Sequence, residues 1–375
     1  MKRTTAMFFS GLIGATAAHA QSSVTLYGVV DDGIAYTSNV GGKSLVAMRA
    51  GNLTQSFWGF QGAEDLGGGL KAIFKLENGF DLNTGNLGGP SQIFGRQAYV
   101  GFDSAKFGRI TMGRQFDLDR ESTGSLTTAS RLTGGLGAHA GDVDNLWAIY
   151  NSANAVKYVS PNFGGVTLGA MYKLGNVAGD FTNSQSYMFS GSYSNGALTA
   201  AASFVRVNDP GQAIYGATTS PTLNGAWANP LTNTVFGGFA SARRLQIATA
   251  GALYALGGFS AAFVYSNTRF EDVIRTSSTP LSGTFIFNGY DANVLYTMSG
   301  TFFVGAGFDY ESDHDAHYSQ VSASVKYLFS KSTLVYLTSA YLHASGTNSF
   351  GRPAVALTSS SSNQTTVILG MRHYF

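Results

Sequence analysis

Tyr318-Ser-Gln-Val-Ser-Ala-Ser-Val-Lys-Tyr-Leu-Phe329 alternates along most of its length. Val321, Ala323, Val325, Tyr327 and Phe329 fall on one face, and Gln320, Ser322, Ser324 and Lys326 on the other. A period of two with one apolar and one polar side predicts a β-strand. In a water-soluble sandwich the apolar side faces a core. In a transmembrane barrel it faces lipid, and the polar side faces the lumen. This strand alone is compatible with both.

The connections decide between them. Short turns fall at 65–69, 104–108, 161–165, 194–197, 255–258, 298–301 and 329–333. Between them lie longer polar stretches at 37–54, 80–93, 116–154, 174–186, 208–242, 268–287, 311–317 and 344–363. Seven short turns alternating with eight long loops predict sixteen strands, with the termini meeting on the short-turn side. Short periplasmic turns on one rim and long extracellular loops on the other are the layout of an outer-membrane barrel. The uncharged run Leu245–Thr268 is long enough for a spanning helix, but Gly257-Gly258 in its middle favours two strands and a tight turn.

The N-terminus and the composition agree. Lys2 and Arg3 precede an apolar run, and Ala18-His19-Ala20 is a small-x-small cleavage signature. Residues 1–20 therefore read as a signal peptide, leaving 21–375 as one barrel domain. Of 23 basic residues two lie in this leader, so the exported chain balances 21 bases against 21 acids. A neutral balance argues against nucleic acid as a partner. Cysteine is absent, which excludes thiolate catalysis and Cys-bearing metal sites. Charged residues make up 12%, about half the share in a typical soluble domain. An exported chain without a spanning helix accommodates this if its outer wall faces lipid and every strand is paired. In the last strand Val367, Leu369, Met371, His373 and Phe375 share one parity, and Thr366, Gly370 and Arg372 the other. That pattern places Arg372 in the lumen.

Five segments then resemble the general porins of β-proteobacteria. They are Ser22-Ser-Val-Thr-Leu-Tyr-Gly-Val-Val-Asp31, Gly62-Ala-Glu-Asp-Leu-Gly-Gly-Gly-Leu-Lys-Ala72, Gly108-Arg-Ile-Thr-Met-Gly-Arg-Gln115, Tyr158-Val-Ser-Pro-Asn-Phe-Gly-Gly165 and Gly370-Met-Arg-His-Tyr-Phe375. The resemblance implies a homotrimer in the outer membrane and passive diffusion of small hydrophilic solutes and ions. It also implies a third long loop folded into the lumen, and a terminal Phe375 that serves assembly. The stretch 116–154 is that loop. Its Asp117, Asp119, Glu121, Asp142 and Asp144 are expected to face a basic wall of Lys71, Lys75, Arg96, Arg114 and Lys157, setting up a field that sorts solutes by charge. Strand parity with Ala98, Val100 and Phe102 turns Arg96 outward unless a bulge intervenes. Phe57 and Asn151 stand where the family often carries bases, so a weaker positive wall is expected.

The remaining features are weaker. Asp313-His-Asp-Ala-His317 reads as a solvated loop tip, with Glu311 beside it a candidate for lipopolysaccharide contact through bridging cations. Gly305-Ala-Gly307 is followed by no helix and is not a nucleotide loop. No Gly-x-Ser-x-Gly elbow accompanies the histidines, so neither an enzyme, a cofactor nor a metal is expected. Two alternatives stay open. A substrate-specific channel would carry an aromatic slide, for which Tyr27, Tyr99, Tyr158 and Tyr172 are candidates. An adhesin or receptor would use the loop 208–242, with Pro210, Pro221, Trp227 and Pro230, as its surface.

Overall fold

The computed structural model describes residues 23–89, 92–231, 235–313, 315–346 and 359–375. The leader expected at 1–20 lies outside them. Among the described residues seventeen strand segments form one antiparallel sheet. From Phe57–Asp65 onward each strand pairs with the next, and Asn363–Tyr374 returns to Ser23–Val40 with 29–37 against 366–374. Lys43–Ala50 and Phe57–Asp65 both pair with Ser23–Val40, one beyond the other along its length. They are two halves of one stave, so the closed barrel has sixteen staves. Closure leaves no sheet edge in lipid.

Burial is inverted relative to a soluble sheet. On Ala316–Leu328, Val321 is 54% exposed, while Ser322 and Ser324 are 1% and 2% exposed. The last strand repeats this: Leu369 and Met371 are exposed, and Thr366 and Gln364 are buried. The apolar face thus points away from the barrel axis, as lipid requires. The uncharged run 245–268 forms the hairpin Arg244–Leu256 and Phe259–Val273, turned at Gly257 with φ +59°.

Three loops differ from the sequence expectation. The stretch 37–54 is mostly strand, because Gly41-Gly42, with φ +59° and +93°, makes a tight hairpin into Lys43–Ala50. The chain then bends at 51–56, where the Asp31 carboxylate accepts the Leu53 and Thr54 amides at 2.8 and 2.9 Å. The expected loop 268–287 shrinks to 274–282, and 311–317 to 313–315, because flanking strands extend. Glu311 is therefore a buried strand residue rather than part of a solvated tip. The residue His314 lies outside the described set.

The barrel interior holds the apolar core. The segment 116–151 lies against the inner wall as short helical turns, beginning with Leu118–Glu121. Its Leu118 and Val143 join Val205, Leu245 and Phe270; Leu136 joins Tyr336 and Ile368; Leu126 and Leu146 join Val264. Each such fully buried side chain contributes roughly 1.5–3 kcal/mol. Glycines on the wall make room: a Cβ on Gly305 would lie 2.3 Å from Leu132, and one on Gly307 2.5 Å from Thr128. That is the structural use of Gly305-Ala-Gly307. Within 209–231 and 235–243 the chain also turns inward, with Phe236 and Phe239 packed on Phe270 and Trp227 buried.

Gly134 joins the third loop to the bend at 51–56. It has φ +66° and ψ −152°, a region open essentially to glycine alone. A Cβ there would lie 1.9 Å from the Asn52 carbonyl oxygen. Gly134→Ala is expected to cost the loop contact about 2–4 kcal/mol through strain and overpacking. Limited proteolysis checks this: the variant should be cut within 116–151 under conditions where the native chain resists, with the barrel's circular dichroism unchanged. Equal resistance would contradict the assignment.

Candidate functional site

A cavity of about 1010 Å³ lies inside the barrel. Five basic side chains line it: Arg96, Arg114, Arg120, Lys173 and Arg372. A second cavity of about 240 Å³ lies toward the short turns, and Arg372 belongs to both. Arg131, Lys326 and Lys331 complete its basic lining. Among the described residues no Asp or Glu lines either cavity.

Arg96 points into the lumen. It precedes the strand Gln97–Ser104, so strand parity does not govern it. Its guanidinium bonds Gln55 at 2.9 Å and pairs with Glu77 at 3.4 Å. Phe57 lies under it at 4.4 Å, and Asn151 donates to its carbonyl at 3.0 Å. Phe57 and Asn151, which the resemblance marks as positions of weakened positive charge, thus both contact Arg96. Arg114 follows Gly113, whose φ of +136° accompanies a register shift, and this bulge directs its side chain to the cavity.

The other three expected wall bases are placed differently. Lys71 is exposed near the turn at 66–69. Lys75 pairs with Glu77 at 3.6 Å and sits over the Tyr27 ring. Lys157 is buried, donating to the Phe116 carbonyl at 3.0 Å and to Glu121 at 2.8 Å. It fastens the start of the third loop to the wall.

Four of the five loop acids are withdrawn from water. Asp117, Asp119, Asp142 and Asp144 are buried, whereas Glu121 is exposed and paired with Lys157. Asp142 accepts the Trp147 and Ile149 amides, both at 2.9 Å. Asp117 accepts the Ser152 amide at 3.2 Å. Asp144 meets the His139 imidazole at 2.6 Å. These carboxylates shape the loop by accepting its own amides, a job that draws them away from water. Burial pushes Asp142 up to about 7 and Asp117 up to about 6. Burial also raises Asp119, and the neighbouring Asp117 charge adds to the effect.

The loop's bases go the other way. Arg120 stacks on Trp147 at 5.1 Å and bonds Ser130 at 2.9 Å. Arg131 bonds Asn293 and Ser260 on the wall while its carbonyl accepts from Lys326 at 3.0 Å. Arg120 and Arg131 are visible in the same stretch of sequence, but sequence reasoning assigned the loop's role to its acids. Lys173 went unnoticed. Arg372 and Lys326 were legible as lumen-facing by strand parity. Of the candidate tyrosines, Tyr27 bonds Glu77 inside at 2.7 Å, whereas Tyr158 is exposed and Tyr172 stacks on Phe181, so the four form no continuous slide.

A closed barrel with an apolar outer surface and a charged interior defines a transmembrane β-barrel. A model of the Gram-negative porin family matches residues 4–347, and the chain belongs to that family. Its place is the outer membrane, which its strands cross many times. An outer membrane porin protein of Bordetella pertussis is 35% identical over 191 residues, covering 46% of this chain and 48% of that one. Outer membrane porin protein 32 of Delftia acidovorans is 35% identical over 170 residues, 43% of this chain and 46% of that one. The chain thus spans about half the length of the curated relatives it matches. Among solved structures, the anion-selective porin from Comamonas acidovorans superposes with a TM-score of 0.75 at 23% identity, over 95% of this chain and 100% of that one. The trimer form of OmpT from Vibrio cholerae gives 0.63 at 16% identity, over 94% and 99%.

The raised Asp117 carboxyl has a consequence for pH. It faces Asp119 and Glu121 on its own loop and Arg114, Lys157 and Lys173 on the wall. An acid whose folded pKa exceeds its ordinary 3.8 gives stability that is complete below 3.8 and is lost as pH rises through about 6. The start of the third loop should therefore loosen between pH 4.5 and 7. Single-channel recordings should show more open-channel noise at pH 7; more noise at pH 4.5 would contradict this.

Proposed function

We propose that the chain is a passive diffusion channel for small hydrophilic solutes and ions, narrowed by its third loop and favouring anions. The observation that carries this reading is the lining: eight basic side chains and no carboxylate border the two cavities among the described residues. A univalent anion about 5 Å from one such base in water gains roughly 1 kcal/mol, and aligned bases extend that gain along the path. The apolar packing of 116–151 inside the barrel supports a fixed constriction. The inward chain within 209–231 and 235–243, whose Ala213, Ile214 and Tyr215 border the larger cavity, supports a second narrowing near the mouth.

The homotrimer is part of this reading, supported by the trimer form named for the Vibrio cholerae relative. Outer-membrane lipid and lipopolysaccharide are the expected surroundings, and export through a cleaved leader at 1–20 completes the account. Enzymatic chemistry has no part in it. The His139–Asp144 pair is buried, its imidazole 2% exposed, and lines neither of the two cavities bordered by the bases. Trp227, in the loop that the adhesin alternative would use as its surface, is buried.

Liposome swelling tests the reading. Monosaccharides should enter vesicles that carry the protein, and an anionic sugar acid should enter faster than a neutral sugar of the same size. Neutralising Arg120 and Arg114 as Arg→Gln should reduce that ratio about fivefold per charge at most. Absence of any sugar flux would overturn the channel, and faster entry of cationic amino sugars would overturn its preference.

A further inference from the structure

One buried cluster has no part in moving solutes. His139 and Asp144 of the third loop meet Asp291 on the strand Gly283–Ser299 and Asp309 and Glu311 on the strand Phe302–Ser312. All five side chains are more than nine-tenths buried. Four carboxylates gathered around one imidazole out of water are an arrangement that a fold tolerates only with bound protons or a counter-charge.

The hydrogen bonds leave specific atoms over. Asp291 accepts from the Thr128 amide at 2.6 Å, the Thr128 hydroxyl at 2.8 Å and Asn293 at 2.9 Å. Glu311 Oε2 accepts the Ala140 amide at 2.6 Å, and Asp309 Oδ2 accepts from Gln320 at 3.4 Å. His139 Nε2, Asp309 Oδ1 and Glu311 Oε1 are buried without a hydrogen-bond partner. His139 Nε2 stands 3.7 Å from Asp291 Oδ2 and 3.9 Å from Asp309 Oδ1. These separations are too long for hydrogen bonds. They exceed by only a few tenths of an ångström the roughly 3.4 Å between ligands of a tetrahedral ion with bonds of about 2.1 Å.

The surroundings fit the same chemistry. The other ring nitrogen, Nδ1, meets Asp144 at 2.6 Å. A carboxylate on the far nitrogen is what orients a ligating imidazole and raises its basicity. A narrow cavity lined by His139, Asp309, Glu311, Tyr318 and Gln320 leaves room beside the cluster for a water as a further ligand. One imidazole with two carboxylates suits a first-row transition ion better than Ca²⁺ or Mg²⁺, which favour all-oxygen sets.

We propose that His139, Asp291 and Asp309 bind one divalent first-row transition ion, which clamps the third loop to two strands of the inner wall. The ion supplies a counter-charge, and Asp144 and Gln320 orient its ligands. The clamp is independent of whether the lumen prefers anions.

Cobalt(II) alone is the probe, added to the chelator-treated full-length protein folded in detergent. The expected result is one ion per chain with the visible absorption of a low-coordinate nitrogen–oxygen site, displaced by Zn²⁺. Asp309→Asn and His139→Gln, each losing a direct ligand, should weaken binding by on the order of a hundredfold or more, above the usual cost of an outer-shell loss. His317→Ala, on the exposed end of a neighbouring strand, should leave it unchanged. Chelation should also speed proteolysis within 116–151, and Zn²⁺ should reverse that. Failure of the native chain to take up cobalt overturns the proposal. So does binding that survives both ligand variants or disappears in His317→Ala.

Discussion

Every backbone amide of a strand that faces lipid needs a partner on the protein, and the pairing of 29–37 with 366–374 supplies the last of them. The rest of the structure follows from that closure. With hydrogen bonding satisfied around the ring, the outer face is free to be apolar, and the polar half of each strand is forced inward. A ring of sixteen staves encloses more space than its own side chains fill, so the chain folds its third and fifth long loops back inside. The hydrophobic effect, which has no purchase on the lipid face, acts within the lumen, where Leu118, Leu126, Leu132 and Leu136 are withdrawn from water.

That packing separates the charges of a nearly neutral chain. Backbone amides at the turns of the third loop need acceptors, and Asp117, Asp142 and Asp144 provide them at the dry contact between loop and wall. Arginines cannot be dried so cheaply, and their long stems carry Arg96, Arg114, Arg120 and Arg372 across apolar ground to the cavity wall. A lumen with a strong positive lining thus arises without a positive chain. The same drying gathers His139 and four carboxylates into one knot, where bound protons or a counter-ion become a structural need.

The barrel is legible in the sequence because it rests on local rules. The alternation at 320–329, the Gly-rich turns and the terminal strand each depend on nearest neighbours only. The illegible parts depend on tertiary contact. Lys43–Ala50 reads as loop because its mixed pattern does not show its pairing with Ser23–Val40. Arg96 reads as outward because parity was extended one residue past the strand that carries it. Loop residues have no period at all, so nothing in 116–154 tells that Asp142 turns to Trp147 and Ile149 while Arg120 turns to the cavity. Phe57 and Asn151 look like lost bases and are, in space, contacts of Arg96.

The central claim is that the water-filled path is bordered by bases from both loop and wall, with four of the loop's five acids withdrawn and the fifth, Glu121, paired with Lys157. The zero-current potential of the reconstituted channel across a tenfold KCl gradient tests this most directly. The account predicts a potential whose sign reports chloride permeating more readily than potassium, shrinking as ionic strength screens the lining. A potassium-selective potential would contradict it, and would mean that the buried carboxylates, rather than the arginines, set the field that ions meet.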